Sequence, residues 1–321
     1  MKVLFVCSGN TVSGISPIID NQASSLTEHT DGLFIDFFPI VGKGFKGYIR
    51  SISPLKRRLK EKKYDIIHAH YSLSAFVASL AGAKPLIVSL MGNEVKESFY
   101  HKFVVKLFRS LFSWKVTIVK SEDMKKSLNF KKAVVIPNGV SFSRFVPMKK
   151  EICQEILMWN PSKKHLLFSS NPQRSEKNFE LTQQAVNILS CEDFELHCLV
   201  NVPNEQTPLW YNAADVVILT SLWEGSPNAI KEAMACNRPV VSTKVGDVSW
   251  LFGDIDGYYL TDFDVKDCAA KIEKAIRFSL EKGATDGRKR IMKLGLDNKQ
   301  VAEKIVAIYR SIHNTSSCSV C

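Results

Sequence analysis

The stretch DVVILTSLWEGSPNAIKEAMACNRPVVST, residues 215–243, places a helical pattern between two apolar runs. Both runs, 215–220 and 239–243, are short, continuous and rich in Val and Ile, which predicts buried strands. Between them, residues 226–236 predict a helix with Ser226 as its N-cap and Pro227 at its first position. Buried strands separated by a helix indicate a parallel sheet covered on both faces.

The same alternation runs through the whole chain. Buried strands are predicted at 2–6, 33–38, 65–69, 85–90, 115–119 and 133–137, then at 165–170, 194–200, 215–220, 239–243 and 257–260. Helical patterns occupy 17–28, 45–62, 72–81, 96–112 and 122–128, then 178–189, 226–236, 264–280 and 298–313. The alternation stops at a turn rich in Pro, Asn and Gly and then restarts, which predicts an α/β protein with two doubly wound, Rossmann-like parallel-sheet domains facing a cleft.

We expect the domains to span 1–145 and 146–313, with the last helix packing back on the first domain and 314–321 forming a disordered tail. The chain has 321 residues, 45% of them hydrophobic, which is enough for two ordinary cores. No apolar run reaches the length of a membrane span, and the N-terminus lacks the pattern of a signal peptide. Eight scattered cysteines fit reduced thiols. These features favour a cytoplasmic protein.

The positive charge is concentrated in the first half of the chain. Residues 1–150 hold 24 Lys and Arg against 10 Asp and Glu, whereas residues 151–321 hold 19 against 22. Two basic stretches, 43–63 and 99–115, interleave these charges with aromatic and aliphatic residues. They fit either amphipathic helices with solvated faces or a surface for anionic lipid or a phosphorylated acceptor. Nucleic acid is not an expected partner, because no nucleic-acid-binding motif accompanies the charge.

Two carboxylates and two cations follow predicted strands. Glu224 lies in the loop after one strand, and Glu232 lies within the next helix. Arg174 and Lys177 lie in the loop after another strand. A helix N-terminus with nearby cations attracts phosphate. The two carboxylates would accept hydrogen bonds from hydroxyl groups on either side of that phosphate. Taken singly, the cations also fit an exposed turn, and Glu224 also fits a carboxylate complementing the helix dipole.

The segment SLWEGSPNAIKEAMACNRPVVSTKVGDVSW, 221–250, contains the spacing Glu-x7-Glu in a strand, loop and helix context. Together with VIPNGVSFSRFVP (135–147), QRSEKN (173–178) and AADVVILTS (213–221), it resembles the family 4 glycosyltransferases, which have the GT-B fold. The resemblance is clear over most of residues 65–260.

The resemblance implies roles for the matching positions. Glu224 would contact the hydroxyl groups of a donor sugar, Glu232 would contact ribose, and Arg174 and Lys177 would hold the diphosphate. Further donor contacts are implied for Gly225, Ser226 and Asn228. Such enzymes retain the anomeric configuration and generally act without a metal, so we expect no cofactor and no metal site for the reaction.

The acceptor side departs from the family pattern. Many relatives have His-Gly-x-Asp after the fourth strand, whereas this chain has Met91 and Glu94 at the corresponding positions. Glu94 and His70 are candidates for the acceptor side, with a structural role for His70 as the alternative. Gly14 is a candidate for close backbone approach to the donor, or for a simple turn.

The expected function is retaining transfer of a hexosyl group from a nucleotide sugar, with uridine as the expected base, to a lipid-linked or oligosaccharide acceptor. The resemblance points to bacterial surface polysaccharide assembly of the lipopolysaccharide or capsule type. With the basic first half of the chain, we expect a protein peripheral at the inner face of the membrane. Two alternatives are a GT-B epimerase or phosphorylase, and a non-catalytic scaffold that binds nucleotide or nucleic acid.

Overall fold

The computed structural model describes residues 1–11, 14–42, 44–92, 99–189 and 193–317. The chain divides into two compact units. The first unit comprises Met1–Gly139 and the segment that begins at Asn298, and the second unit comprises Val140–Asp297.

The first unit is built on a six-stranded parallel sheet with the order β2-β1-β3-β4-β5-β6. The strands are β1 (Lys2–Ser8), β2 (Phe34–Ile40), β3 (Ile66–His70), β4 (Leu86–Ser89), β5 (Val116–Val119) and β6 (Val134–Val135). The helices are α1 (Pro17–Glu28), α2 (Gly44–Arg50), α3 (Ile52–Glu61), α4 (Ser72–Leu80), α5 (Phe99–Leu111), α6 (Glu122–Leu128) and α14 (Asn298–Ser317).

Alternate residues of β1 pack into opposite cores of this unit. Leu4 and Val6 join the core beneath α3, α4, α5 and α6. Val3 and Phe5 join the core beneath α1 and α14. A strand buried on both faces needs apolar residues at every position, which explains the continuous run in the sequence.

The second unit is built on a five-stranded parallel sheet with the order β11-β10-β9-β7-β8. The strands are β7 (Lys164–Phe168), β8 (Phe194–Cys198), β9 (Val216–Leu219), β10 (Val240–Thr243) and β11 (Tyr258–Thr261). The helices are α7 (Lys150–Ile156), α8 (Phe179–Ile188), α9 (Thr207–Ala213), α10 (Asn228–Ala235), α11 (Val248–Phe252), α12 (Val265–Lys282) and α13 (Gly287–Lys293). One core lies beneath α9, α10, α11 and α13, and the other beneath α8 and α12.

The boundary between the units lies at 139/140, six residues before the predicted position. Val140 donates its amide to the Leu296 carbonyl at 2.9 Å. Val140 and Phe145 are buried in the core of the second unit. The Pro-Asn-Gly turn therefore ends the first unit, and the segment after it already belongs to the second.

The last helix belongs to the first unit. Val301, Ile305 and Tyr309 of α14 are buried in the same core as Phe5 of β1. Because α14 continues to Ser317, the prediction of a disordered tail from 314 is wrong for 314–317. The final four residues lie outside the described part of the chain.

Two further differences concern helices. The predicted helix 45–62 is two helices that meet at Ser51, whose hydroxyl donates to the Gly47 carbonyl at 3.0 Å. Pro54 is tolerated in the first turn of α3 but would disrupt the interior of one continuous helix. The short helices α7, α9, α11 and α13 were not predicted, because five to seven residues hold too little periodic pattern. Within the described residues, no helix is both long enough and apolar enough to cross a membrane.

Candidate active site

The loop after β9 is held from both sides at the carboxyl edge of the second sheet. The Thr220 hydroxyl donates to the Asn178 carbonyl at 2.9 Å, in the loop that follows β7. The Thr243 hydroxyl, at the end of β10, donates to the Ser221 carbonyl at 2.7 Å. β7, β9 and β10 are parallel neighbours, so the loops that follow them meet at one edge.

Glu224 and Lys177 form an ion pair at this edge. Lys177 Nζ donates to Glu224 Oε1, and the Ser221 hydroxyl donates to the same oxygen at 2.8 Å. The Lys177 and Glu224 side chains are only 13% and 15% exposed. Because solvent screens the pair weakly, it holds the Glu224 carboxylate more firmly than a surface pair would.

Arg174 lies in the same loop as Lys177 but contacts a different acid. Its Nε and Nη2 lie 2.8 Å and 2.6 Å from Glu176 Oε1. The Arg174 side chain is 56% exposed. The structure therefore pairs Lys177 with Glu224 and leaves Arg174 at the surface beside them, with Glu176 as a partner that the sequence had not indicated.

Helix α10 begins one residue later than predicted, so Ser226 is not its N-cap. Pro227 has an extended backbone with φ −69° and ψ 121°, and the helix starts at Asn228. The Ser226 hydroxyl instead accepts a hydrogen bond from Lys231 Nζ at 3.1 Å. Asn228 Oδ1 is buried and accepts no hydrogen bond from the described residues.

Lys231 is a fully buried lysine that sequence reasoning missed. It is 0% exposed. Burial lowers the pKa of its ammonium to about 8, and the charges of Asp247, Glu232 and Glu224 oppose this shift. The signal in the sequence was a charge at a core-facing position between Ile230 and Ala233. An ammonium is thus enclosed among three carboxylates of the site.

Glu232 lies one helical turn after the start of α10 and is partly exposed. The buried Tyr211 hydroxyl donates to Glu232 Oε2 at 3.0 Å. Burial raises the pKa of Glu232, while the Tyr211 hydrogen bond and the positive charges of Arg144 and Lys231 act in the opposite direction. Arg144 had no predicted role, although it stands in the segment VIPNGVSFSRFVP.

Gly246 packs directly on the backbone of the Glu224 loop. Its φ is +55°, and a Cβ atom added there would lie 2.7 Å from the Gly225 carbonyl oxygen and 2.9 Å from that of Glu224. Gly225 itself is buried. The turn after β10 therefore needs glycine both for its backbone conformation and for its close approach to the loop.

The remaining predicted residues lie in the first unit. Gly14 has φ +81°, and its amide donates to the Thr11 carbonyl at 2.9 Å. Met91 follows β4 and is partly buried. Glu94 lies outside the described residues.

His70 lies in the interior of the first unit and does not line an open surface. It is 0% exposed. Its ring stacks on His68 with centroids 4.3 Å apart and lies 4.5 Å from the Phe5 ring. Burial, followed by the charges of His68 and Lys120, holds the pKa of His70 well below its ordinary value. The structure places the His70 ring within the core of the first unit, and its role on the acceptor side stays a prediction.

Two family profiles match successive parts of the chain. Residues 19–144 match the family described as Glycosyltransferase Family 4, and residues 172–277 match Glycosyl transferases group 1. The chain is a glycosyltransferase of the family 4 type.

Two individual relatives are also named as glycosyltransferases. A Bacillus subtilis protein named as a teichuronic acid biosynthesis glycosyltransferase is 29% identical over 236 residues. The match covers 64% of this chain and 60% of that protein. The Escherichia coli UDP-Gal:alpha-D-GlcNAc-diphosphoundecaprenol alpha-1,3-galactosyltransferase is 26% identical over 297 residues. The match covers 77% of this chain and 76% of that protein. The chain thus spans about 60% of the length of the first of these relatives.

A solved structure shows the same fold. The Anabaena protein HepE, crystallised in complex with UDP and glucose, has a TM-score of 0.75 at 16% identity, over 97% of this chain and all of that chain. The two parallel sheets and this similarity confirm the GT-B fold.

Replacing Gly246 with Ala should displace the Glu224 loop of this family 4 chain. The left-handed backbone alone costs about 1–2 kcal/mol for a residue with a side chain, and the contact with the Gly225 carbonyl adds a steric clash. Gly283→Ala is the matched control, because its φ is +74° and a Cβ atom there has no neighbour within 4 Å. We expect both variants to lose unfolding free energy, but only Gly246→Ala to weaken nucleotide binding in calorimetry. Equal nucleotide affinity in the two variants would show that the close approach of Gly246 does not position the Glu224 loop for binding.

Because Lys231 is buried, the free energy of unfolding should change with pH in the alkaline range. Its folded-state pKa of about 8 lies below the ordinary 10.5, so between these values the unfolded chain binds the proton more strongly. The free energy of unfolding of the wild type, relative to Lys231→Met, should therefore rise by up to about 3 kcal/mol from pH 8 to 10.5 and stay constant below pH 8. Denaturant titrations across this range measure the difference. Lys274→Met, on the exposed face of α12, controls for loss of a positive charge, and a difference independent of pH would refute the effect.

Proposed function

We propose that the chain transfers a hexosyl group from a UDP-sugar to a lipid-linked or oligosaccharide acceptor, with retention of configuration, in the assembly of a bacterial surface polysaccharide. The observation that carries the proposal is the Lys177–Glu224 ion pair at the carboxyl edge of the second sheet, beside a helix that carries Glu232. The pair places a cation for phosphate and a carboxylate for hydroxyl groups at one point.

The donor diphosphate would lie at the start of α10. The first amides of a helix lack partners within the helix and favour an anion. Lys177 would exchange part of its contact with Glu224 for a phosphate oxygen, and the exposed Arg174 guanidinium would leave Glu176 and turn toward the second phosphate. Glu232, already oriented by Tyr211, would accept hydrogen bonds from ribose hydroxyls.

Transfer would proceed on one face of the sugar. The bond between the anomeric carbon and the phosphate oxygen breaks as an acceptor hydroxyl forms its bond on the same face, and the hydroxyl proton passes to the departing phosphate. Lys177, Arg174 and the amides of α10 stabilise the charge that develops on that phosphate, so no metal is needed for this step. Glu224 holds the sugar hydroxyls during the change.

The names of similar proteins support the donor and acceptor classes. The Escherichia coli relative is named for transfer from UDP-Gal to a sugar on diphosphoundecaprenol. The Anabaena structure holds UDP and glucose. Both support a uridine nucleotide as donor, and the first supports an acceptor carried on a lipid diphosphate.

The proposal predicts selective binding of UDP at the second unit. In calorimetry with UDP, ADP and GDP, UDP should bind most tightly. Lys177→Met should weaken UDP binding about 10- to 100-fold, because a charge-assisted hydrogen bond is lost. Glu232→Gln should also weaken it. Lys274→Met and Glu205→Gln make the same replacements at exposed positions of the second unit and should bind UDP as the wild type does.

Turnover is then measured with labelled UDP-hexoses and a lipid-linked diphosphate-sugar acceptor, and NMR gives the anomeric configuration of the product. A product that requires acceptor and keeps the donor's configuration supports the proposal. Reaction without acceptor, a requirement for free phosphate, or UDP binding with no turnover on any acceptor would instead favour an epimerase, a phosphorylase or a scaffold, respectively.

The proposed lipid-linked acceptor agrees with an exposed apolar stripe on α5. Tyr100, Phe103, Leu107 and Leu111 recur at helical spacing and are 79%, 56%, 41% and 66% exposed. The helix carries basic residues and no acids. α5 and the basic helix α3 both contact α4 on the same face of the first sheet. An apolar stripe flanked by cations suits an anionic bilayer surface, which supports the proposal that the protein binds at the inner face of the membrane.

A double substitution on α5 should reduce binding to anionic membranes. Phe103→Ser with Leu107→Ser removes the centre of the stripe, whereas Ile152→Ser with Ile156→Ser removes two equally spaced residues of α7 that are 48% and 55% exposed. In flotation with vesicles of phosphatidylglycerol and phosphatidylcholine, we expect only the α5 variant to lose binding. Binding of the wild type should fall with added salt. Absence of wild-type binding, or equal loss in both variants, would exclude α5 as the membrane surface.

A further inference from the structure

His165, Glu195 and His197 form a cluster away from the Glu224 loop. His165 is the second residue of β7, and Glu195 and His197 lie on the neighbouring strand β8. In the parallel register His165 lies opposite Glu195, and His197 is two residues further along β8. The three side chains therefore share one face of the sheet. Lys177 and Glu224 follow the opposite, carboxyl ends of their strands, so the cluster is separate from the candidate active site.

Three ligand atoms of this cluster converge. His165 Nδ1 lies 3.0 Å from His197 Nε2. Glu195 Oε2 lies 3.6 Å from the first nitrogen and 3.7 Å from the second. A point equidistant from these three atoms lies about 2.0 Å from each. Zinc is bound by imidazole nitrogen at about 2.0–2.1 Å and by carboxylate oxygen at about 2.0–2.2 Å.

The far side of His165 fixes which of its nitrogens can bind a metal. Its Nε2 lies 3.0 Å from the Asn160 carbonyl oxygen, which can only accept a hydrogen bond. A neutral His165 ring therefore donates from Nε2 and presents the lone pair of Nδ1 toward His197 and Glu195. Metal-binding histidines are commonly oriented in this way, by donation of the other ring N–H to a carbonyl.

The surroundings of the cluster suit a bound ion with one open side. Trp159 stacks on the His197 ring at 3.7 Å with an interplanar angle of 3°. Trp210 contacts Trp159 edge-on at 5.5 Å. The His165 side chain is 0% exposed, whereas that of Glu195 is 37% exposed. The imidazoles are thus held rigidly, and an ion and a water molecule can enter beside the carboxylate.

We propose that His165, Glu195 and His197 bind a divalent cation of the zinc class, with water as the fourth ligand. Two imidazoles and one carboxylate are a ligand set that zinc accepts. In the metal-free protein, His197 Nε2 carries the hydrogen that it donates to His165 Nδ1, and binding requires the other tautomer of His197. The ion would link the edge strand β8 to β7 and take no part in the sugar transfer proposed above.

Zinc binding is tested on the untagged full chain. Zn²⁺ is titrated by calorimetry, and Co²⁺ is used as a spectroscopic probe, through its visible ligand-field bands and its quenching of tryptophan fluorescence, to which Trp159 contributes. We expect one ion per chain and a rise in the unfolding midpoint with Zn²⁺. Glu195→Gln should weaken binding by more than about tenfold, and His197→Phe, which keeps a ring against Trp159, should abolish it.

Glu205→Gln is the control, since it removes an exposed carboxylate of the same unit. UDP binding and the metal-free unfolding midpoint verify that each variant is folded. If His197→Phe fails to fold, the Zn²⁺ affinity of Glu195→Gln alone tests the proposal. The proposal is overturned if no stoichiometric ion binds, which would leave a hydrogen-bonded histidine pair, or if both variants bind Zn²⁺ as the wild type does. Because UDP binding is measured separately, failure of this site leaves the glycosyltransferase proposal unaffected.

Discussion

Parallel pairing of the strands is the constraint on which the rest of the second unit depends. Every loop that follows a strand of a parallel sheet emerges at the same edge, so residues separated by about fifty positions come within hydrogen-bonding distance. Lys177 and Glu224 meet in this way, and the hydroxyls of Thr220 and Thr243 hold the intervening loop to both neighbouring strands. The spacing between Glu224 and Glu232 brings the two carboxylates to one region only because the loop after β9 emerges at that edge of the sheet.

The candidate site contains a buried charge besides the two glutamates of the Glu-x7-Glu spacing. Lys231 is enclosed by the protein beside the carboxylates of Glu224, Glu232 and Asp247. Removing one member of such a group leaves the others buried without compensation, whereas replacing all with apolar residues can be neutral for stability. The Lys231 ammonium also donates to the Ser226 hydroxyl at 3.1 Å, which ties the helix to the loop just before it.

The alternation of strands and helices was predictable because buried apolar residues recur at a regular spacing within each element. Glu224, Arg174 and Lys177 could be proposed from the sequence because they follow strand ends within recognisable segments, and Glu232 because it lies in the helix that comes next. Their roles stay predictions. Lys231, Arg144 and Gly246 were missed because their roles arise from contacts across the sheet, as in the approach of Gly246 to the Gly225 carbonyl. The boundary at Gly139 and the reach of α14 to Ser317 likewise depend on which core each segment joins, which a local pattern does not record.

The two ends of the second unit meet. Val140 pairs with Leu296 and Asp297, so this unit is inserted as a closed module into a first unit whose chain is interrupted. During synthesis on the ribosome, the inserted module has all of its strands and helices once Asp297 has emerged. The first unit, in contrast, still lacks α14, whose apolar side chains complete the cover that α1 provides on one face of its sheet. The half of the molecule that is translated first is therefore the last whose core can be completed.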